Sequence, residues 1–223
     1  MFAVVFEVQP RPDRWDNYLG LASALRPELL AIDGFIDNVR YGSKRRDGWV
    51  LSLSTWRDEK SLVRWRTQAL HHDAQSKGRA EVFRDYHLRV GEVALDTRPP
   101  AGHAVREQRL DATETGEAKL LSIIEMRRPE ARGEAISSET IARHLGLPHH
   151  ADGLVEWDVF EAILIPGEML LLLAWRDAAA AKAGEQAIPP GARRRHVRVI
   201  RDYGMFRREE APQFYPVISD QGQ

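Results

Sequence analysis

The chain reads as an α+β protein in which one βαββαβ unit occurs twice and the two sheets pack against each other. Three observations lead there. Residues 49–58 (WVLSLSTWRD) return as residues 168–177 (EMLLLLAWRD), an apolar run ending both times in Trp-Arg-Asp. Upstream, Phe6-Glu7-Val8 followed by Pro10 answers Ile124-Glu125-Met126 followed by Pro129, and downstream Arg84-Asp85-Tyr86 answers Arg201-Asp202-Tyr203. The landmarks keep step: Glu7 to Trp56 and Glu125 to Trp175 span 49 and 50 residues, Trp56 to Tyr86 and Trp175 to Tyr203 span 30 and 28. Three landmarks in one order at nearly constant spacing point to an internal repeat.

In the first copy, residues 2–8 are rich in Val and Phe and read as a strand closed by Pro10 and Pro12. A helix follows, with Asp13 as its expected cap and Trp15, Tyr18, Leu19, Ala22 and Leu25 spaced to form one buried face. Pro27 is expected to kink or restart it, because proline cannot supply the backbone N–H of a continuing helix. Residues 35–41 form a second strand. Residues 49–56 form a third, with Val50, Ser52, Ser54 and Trp56 on one face and Leu51, Leu53 and Thr55 on the other. Asp58 is placed to cap a second helix, with Leu62, Trp65 and Ala69 on one stripe, which is expected to continue loosely through His71 and His72 to Gly78. Residues 86–95 complete a four-stranded, ferredoxin-like plait.

Residues 96–118 hold Pro99, Pro100, Gly102 and Gly116 with many charges and read as a linker. The second copy, residues 119–212, repeats the pattern: a strand at 119–127, a helix capped by Ser137 or Ser138, a hairpin turning at Pro166-Gly167, a plain helix at 178–187 and a closing strand at 195–205. Its leucine-rich strands and featureless helix suit a packing partner better than a second working site. Residues 213–223 are expected to lie over a surface. A plait covered by helices on one face must bury its other face, and the repeat supplies the second sheet within the same chain. The expected arrangement is an intrachain pseudo-dimer, with further homodimerisation left open.

Composition narrows the function. The 223 residues carry 32 basic and 33 acidic side chains, a net charge of −1, which offers no global attraction to nucleic acid or anionic membrane. With no cysteine, disulfides and thiolate chemistry are excluded, and a cytoplasmic setting is expected. The first residues lack a secretory pattern, and the apolar run at 169–175 is too short to span a bilayer. The His71/His72 and His149/His150 pairs lack the i, i+4 spacing of a helical zinc site. Alternation on a strand divides the basic run from Arg193 to Arg198 between two faces.

The stretch from Trp49 to Asp58, then Trp65, His72, Gly78, Arg79, Phe83 and residues 86–93 (YHLRVGEV), resembles the antibiotic biosynthesis monooxygenase domains of the dimeric α/β-barrel superfamily. The likeness is good over residues 1–95 and fainter over 119–212. It implies a barrel made of two plaits and a pocket between helices and sheet. Activities in the family include cofactor-independent oxygenation of aromatic or quinol substrates and haem degradation; other members have no established activity.

Haem-degrading members carry an Asn near the end of the first strand and a His ten residues after the helical Trp. Here those places hold Phe6 or Glu7 and Gln75, so no haem, metal or other cofactor is expected. For oxygenation of a small hydrophobic or aromatic molecule, the candidate catalytic residues are His72, Trp65 and Tyr86, and the candidate substrate-binding residues are Trp56, Arg40 and Arg66. A histidine can exchange a proton near neutral pH, an arginine can pair with an oxyanion, and aromatic walls exclude water. Both tryptophans are also what a small core packs around. The alternative is a non-catalytic binding or regulatory protein, with helices collapsed onto the sheet around Trp56 and Trp65. An enzyme would keep a cavity of a few hundred Å³ in the first copy, with the second filled by residues 171–173.

Overall fold

The computed structural model describes residues 1–127 and 136–216; the Pro129 landmark lies outside them. Eight strands run as β1 (Phe2–Pro10), β2 (Phe35–Ser43), β3 (Val50–Trp56), β4 (Phe83–Asp96), β5 (Leu120–Arg127), β6 (Leu154–Ala162), β7 (Glu168–Trp175) and β8 (Arg193–Gly204). The helices are α1 (Trp15–Ala31), α2 (Glu59–Thr67), α3 (Ala69–Lys77), α4 (Ser138–His144) and α5 (Ala178–Gly184). All strand pairs are antiparallel and close a barrel in the order β1-β3-β2-β6-β7-β5-β8-β4. The first four strands lie in the order β4-β1-β3-β2, the last four in the order β8-β5-β7-β6. Pairing of β2 with β6 and of β4 with β8 leaves no free sheet edge, so the two sheets face each other across the interior and are also hydrogen-bonded along both seams.

Alternation along each strand divides the side chains between inside and outside. Ala3, Val5, Leu51, Leu53, Leu121, Ile123, Phe160, Leu170, Leu172, Val197 and Val199 fill the barrel. Burying a side chain such as Phe160 completely stabilises the fold by roughly 1.5–3 kcal/mol. Toward one end Glu7 is buried against Arg89 and Arg46; toward the other Glu125 accepts from Arg195 Nη2 at 2.8 Å and from the Tyr41 hydroxyl at 3.1 Å. Burial alone would raise the Glu7 pKa, but the two guanidiniums outweigh it and hold the carboxyl below its ordinary value.

Strand register revises the downstream landmark. Glu7 lies opposite His87 and Glu125 opposite Arg193, while Val8 lies opposite Tyr86, so Tyr86 pairs with β1 near the start of its strand whereas Tyr203 pairs with Leu88 across the β4–β8 seam near the end of its own. Tyr203 therefore does not occupy a place matching Tyr86.

The helices also depart from expectation: on the expected buried face of α1, Trp15 and Leu19 are exposed and Tyr18 is buried, and α5 ends at Gly184 rather than at residue 187. Asp13 sits in a 3-10 turn before α1 and makes no cap; no side-chain cap hydrogen bond forms there. Helix α1 runs through Pro27 without restarting. The expected second helix is two, because Gln68 takes an extended conformation (φ −62°, ψ 132°) and its side chain accepts a hydrogen bond from His71 N–H at 2.8 Å, capping α3. Asp58 and Asp177 cap α2 and α5 as expected, accepting from Ser61 N–H at 2.8 Å and Ala180 N–H at 2.7 Å.

Candidate active site

Between α1, α2, α3 and the outer face of β1–β4 lies a cavity of about 330 Å³. Two rows of the sheet make its floor. Register places Arg40, Ser52, Phe6, Leu88 and Tyr203 side by side across β2, β3, β1, β4 and β8, and Asn38, Ser54, Val4, Val90 and Arg201 in the next row. Tyr18, Ala22, Leu25 and Leu29 of α1 form one wall, and Leu62, Trp65, Arg66, His71, Ala74 and Gln75 the other. In the second half, Ile141, Leu145, Leu171, Leu173, Trp175 and Ala180 pack into one apolar cluster in the corresponding space, whereas Leu172 points into the barrel.

Of the residues singled out in the sequence, Trp65, Tyr86, Arg40 and Arg66 line the cavity. His72 does not: it is exposed, its ring 5.7 Å from that of Tyr215. In a continuous helix His72 would fall seven residues after Trp65 on the same face; the break at Gln68 resets the helical phase and turns His71 inward instead. Trp56 is also off the wall. It is 1% exposed, packed against Phe35, Phe2 and Leu62, and its indole N–H donates to Ser54 Oγ at 2.9 Å, so it supports the cavity from behind.

His71 stacks on Trp65 with ring centroids 4.0 Å apart. Its Nδ1 lies 2.8 Å from the Trp65 carbonyl oxygen, which can only accept, so the proton sits on Nδ1 and Nε2 is an acceptor, with the Gln75 side-chain nitrogen 3.4 Å away. Burial pushes the imidazole pKa down to about 4, which keeps it neutral near pH 7.

At the cavity's other polar corner, Tyr86 accepts hydrogen bonds from Arg79 Nη1 at 2.8 Å and Arg208 Nη1 at 2.5 Å. With both acceptor positions used, its own O–H is what remains to donate. Burial, reinforced by Tyr86, raises the Tyr203 pKa to about 12 against the opposing charges of Arg66 and Arg208, so this phenol too is a donor.

The C-terminal segment does more than lie over a surface. Gln213 and Tyr215 line the cavity, and both donate to Gln75 Oε1, at 3.0 and 2.8 Å. Sequence reading missed this closure because the segment has no periodicity. It missed His71 because the signal for the break was a single residue, Gln68. Tyr18 was legible only as one member of an apolar stripe.

A family model described as "Antibiotic biosynthesis monooxygenase" matches residues 1–77. The "Jasmonate monooxygenase ABM" of Pyricularia oryzae is 50% identical over 226 residues, covering 98% of this chain and 100% of the relative. The chain belongs to the antibiotic biosynthesis monooxygenase family. Among solved structures, an aldoxime dehydratase superposes with a TM-score of 0.53 at 11% identity, covering 89% of this chain and 80% of that one, a likeness of fold alone. Within the family's dimeric α/β-barrel, the helix-covered face of the first sheet is where this chain keeps its space. No helix among the described residues is long and apolar enough to cross a membrane.

Proposed function

We propose that the chain is a monooxygenase that takes a small, mostly apolar molecule with one ionisable group into the cavity of residues 1–95, while residues 119–212 act as its covalent packing partner in a pseudo-dimer. The observation that carries this reading is the cavity itself, walled by apolar side chains and lined also by a neutral imidazole, four phenols and five arginines. Helices collapsed around Trp56 and Trp65, as a non-catalytic protein would allow, are not what the structure has. The whole-length likeness to a relative named a jasmonate monooxygenase supports the same reading and suggests jasmonate as a first substrate to try. With no cysteine in the chain, we place this activity in the cytoplasm.

In this reading Trp65 and the α1 wall exclude water, His71 Nε2 accepts a proton from the substrate, and Tyr86 donates a hydrogen bond to the oxygen that gains charge. Electron balance divides the substrates. Monooxygenation puts one atom of O₂ into the substrate and reduces the other to water. A phenol or hydroquinone supplies the two electrons itself and needs no cofactor. Hydroxylation of a saturated C–H bond, as in an alkyl carboxylic acid, draws them from a separate two-electron donor. Oxygen uptake with dihydroxyaromatics and with jasmonate, each with and without added NADPH, tests the proposal. Uptake with either class supports a monooxygenase, and its dependence on NADPH tells the two chemistries apart. No uptake in any arm contradicts the proposal.

A further inference from the structure

On the α1 side of the cavity Tyr18 and Arg40 stand together. Tyr18 is 5% exposed; burial raises its pKa and the Arg40 guanidinium beside it opposes that rise, while the Tyr18 hydroxyl and Arg40 Nε, both shielded from solvent, have no partner outside the pair. Arg40 enters no ion pair among the described residues, whereas Glu59, the acid among the lining residues, is taken by Arg109 at 2.7 and 2.8 Å. A buried donor left without an acceptor costs on the order of 1–3 kcal/mol, more for a charged one, so such a pair on a cavity wall marks where a ligand's acceptor belongs.

We propose that Tyr18 and Arg40 form a carboxylate clamp, so that the substrate class of this cavity is an apolar monocarboxylic acid. The proposal rests on the reading of the cavity as the substrate site. A carboxylate has the two acceptor oxygens and the negative charge that the pair lacks; a neutral ketone or ester would satisfy one donor and leave the cation uncompensated. Position agrees with the assignment. Arg40 stands on β2 at one edge of the floor and Tyr203 on β8 at the other, four strand spacings or about 19 Å apart between backbones. Arg40 is therefore at the far edge of the floor from Tyr203, while Tyr18 packs in one cluster with Tyr86 and Tyr203, and the arginine fixes the acid group at its end with the apolar remainder running over Phe6, Ser52 and Leu88. Ser52 is partly engaged there, its hydroxyl accepting from Asn38 Nδ2 at 2.9 Å.

The test is calorimetric titration of the full chain with three acids, jasmonate, decanoate and 2-naphthoate, each against its methyl ester. At least one acid is expected to bind about tenfold or more tightly than its ester. Arg40→Gln removes that preference, and Tyr18→Phe, which deletes only the hydroxyl, reduces it several-fold. If Arg40→Gln does not fold, Tyr18→Phe alone decides. The clamp is overturned if no acid is preferred over its ester or if both variants keep the parent's preference. Oxygen uptake is read separately: preference for acids without uptake keeps the clamp and removes the oxygenase reading, and uptake with neutral dihydroxyaromatics that Arg40→Gln leaves intact does the opposite.

Discussion

Trp65 and His71 lie face to face, 4.0 Å between centroids and 15° between planes, and the Trp65 carbonyl also holds the His71 Nδ1–H. One residue thus fixes both the ring plane and the tautomer of the other. Nε2, which that tautomer leaves as an acceptor beside the Gln75 side-chain nitrogen at 3.4 Å, is the proton acceptor in the proposed reaction.

From this, His71→Ala is expected to lower kcat by about 10²- to 10⁴-fold in oxygen uptake, the usual weight of a general base. His72→Ala, at an exposed position, is expected to stay within about twofold of the parent. Trp65→Phe keeps the backbone carbonyl and a stacking ring and is expected to fall between them. Equal rates for His71→Ala and the parent would remove this imidazole from the chemistry.

His71 also makes a stability prediction whose sign is fixed. Its folded pKa, about 4, lies below the value of about 6.5 in an unfolded chain, so between those values the unfolded state binds more protons. Stability from this group is complete above about pH 6.5 and lost as pH falls toward 4. Glu7, held below its ordinary value, adds a further loss at lower pH. The urea midpoint measured from pH 7.5 to 4 is expected to fall, and His71→Gln to flatten that fall; an unchanged slope would contradict the burial of a neutral imidazole.

Much of the barrel was legible because period-two alternation says which side of a strand is buried. Leu51, Leu53 and Thr55 against Ser52, Ser54 and Trp56 divided as the pattern required. The site was less legible because its decisive features are not periodic. A one-residue break at Gln68 exchanged His71 for His72. The closing contacts of Arg208, Gln213 and Tyr215 join residues more than 120 positions apart from Gln75 and Tyr86, with no local signal for either. Tyr203 was visible in sequence, but as a supposed counterpart of Tyr86 when it in fact shares the same cavity.

The buried pair of Glu7 and Arg89 gives a prediction about the barrel. Glu7→Ala leaves Arg89, 1% exposed, with only the outer Glu156 contact at 2.6 Å. Removing one partner of a buried ion pair costs about 3–5 kcal/mol, to be read as a lower urea midpoint with the cavity residues untouched. A change under about 1 kcal/mol would mean the network contributes little.

The C-terminal closure can be tested by Tyr215→Ala. It removes the hydrogen bond to Gln75 and the ring that Arg79 and Arg208 face at 5.4 and 5.5 Å. KM is expected to rise by about tenfold with kcat within about threefold, because the residue retains substrate and takes no part in the chemistry. A fall in kcat at unchanged KM would assign Tyr215 to the reacting end instead.

The central claim is that this one cavity is where substrate sits, and filling it is the most direct test. Ala22→Phe places a ring from α1 into the space without altering His71, Tyr86 or the arginines. In a variant shown to be folded by an unchanged circular dichroism spectrum and a cooperative urea transition, oxygen uptake with the parent's best substrate is expected to disappear. Uptake at the parent's rate would place the chemistry elsewhere.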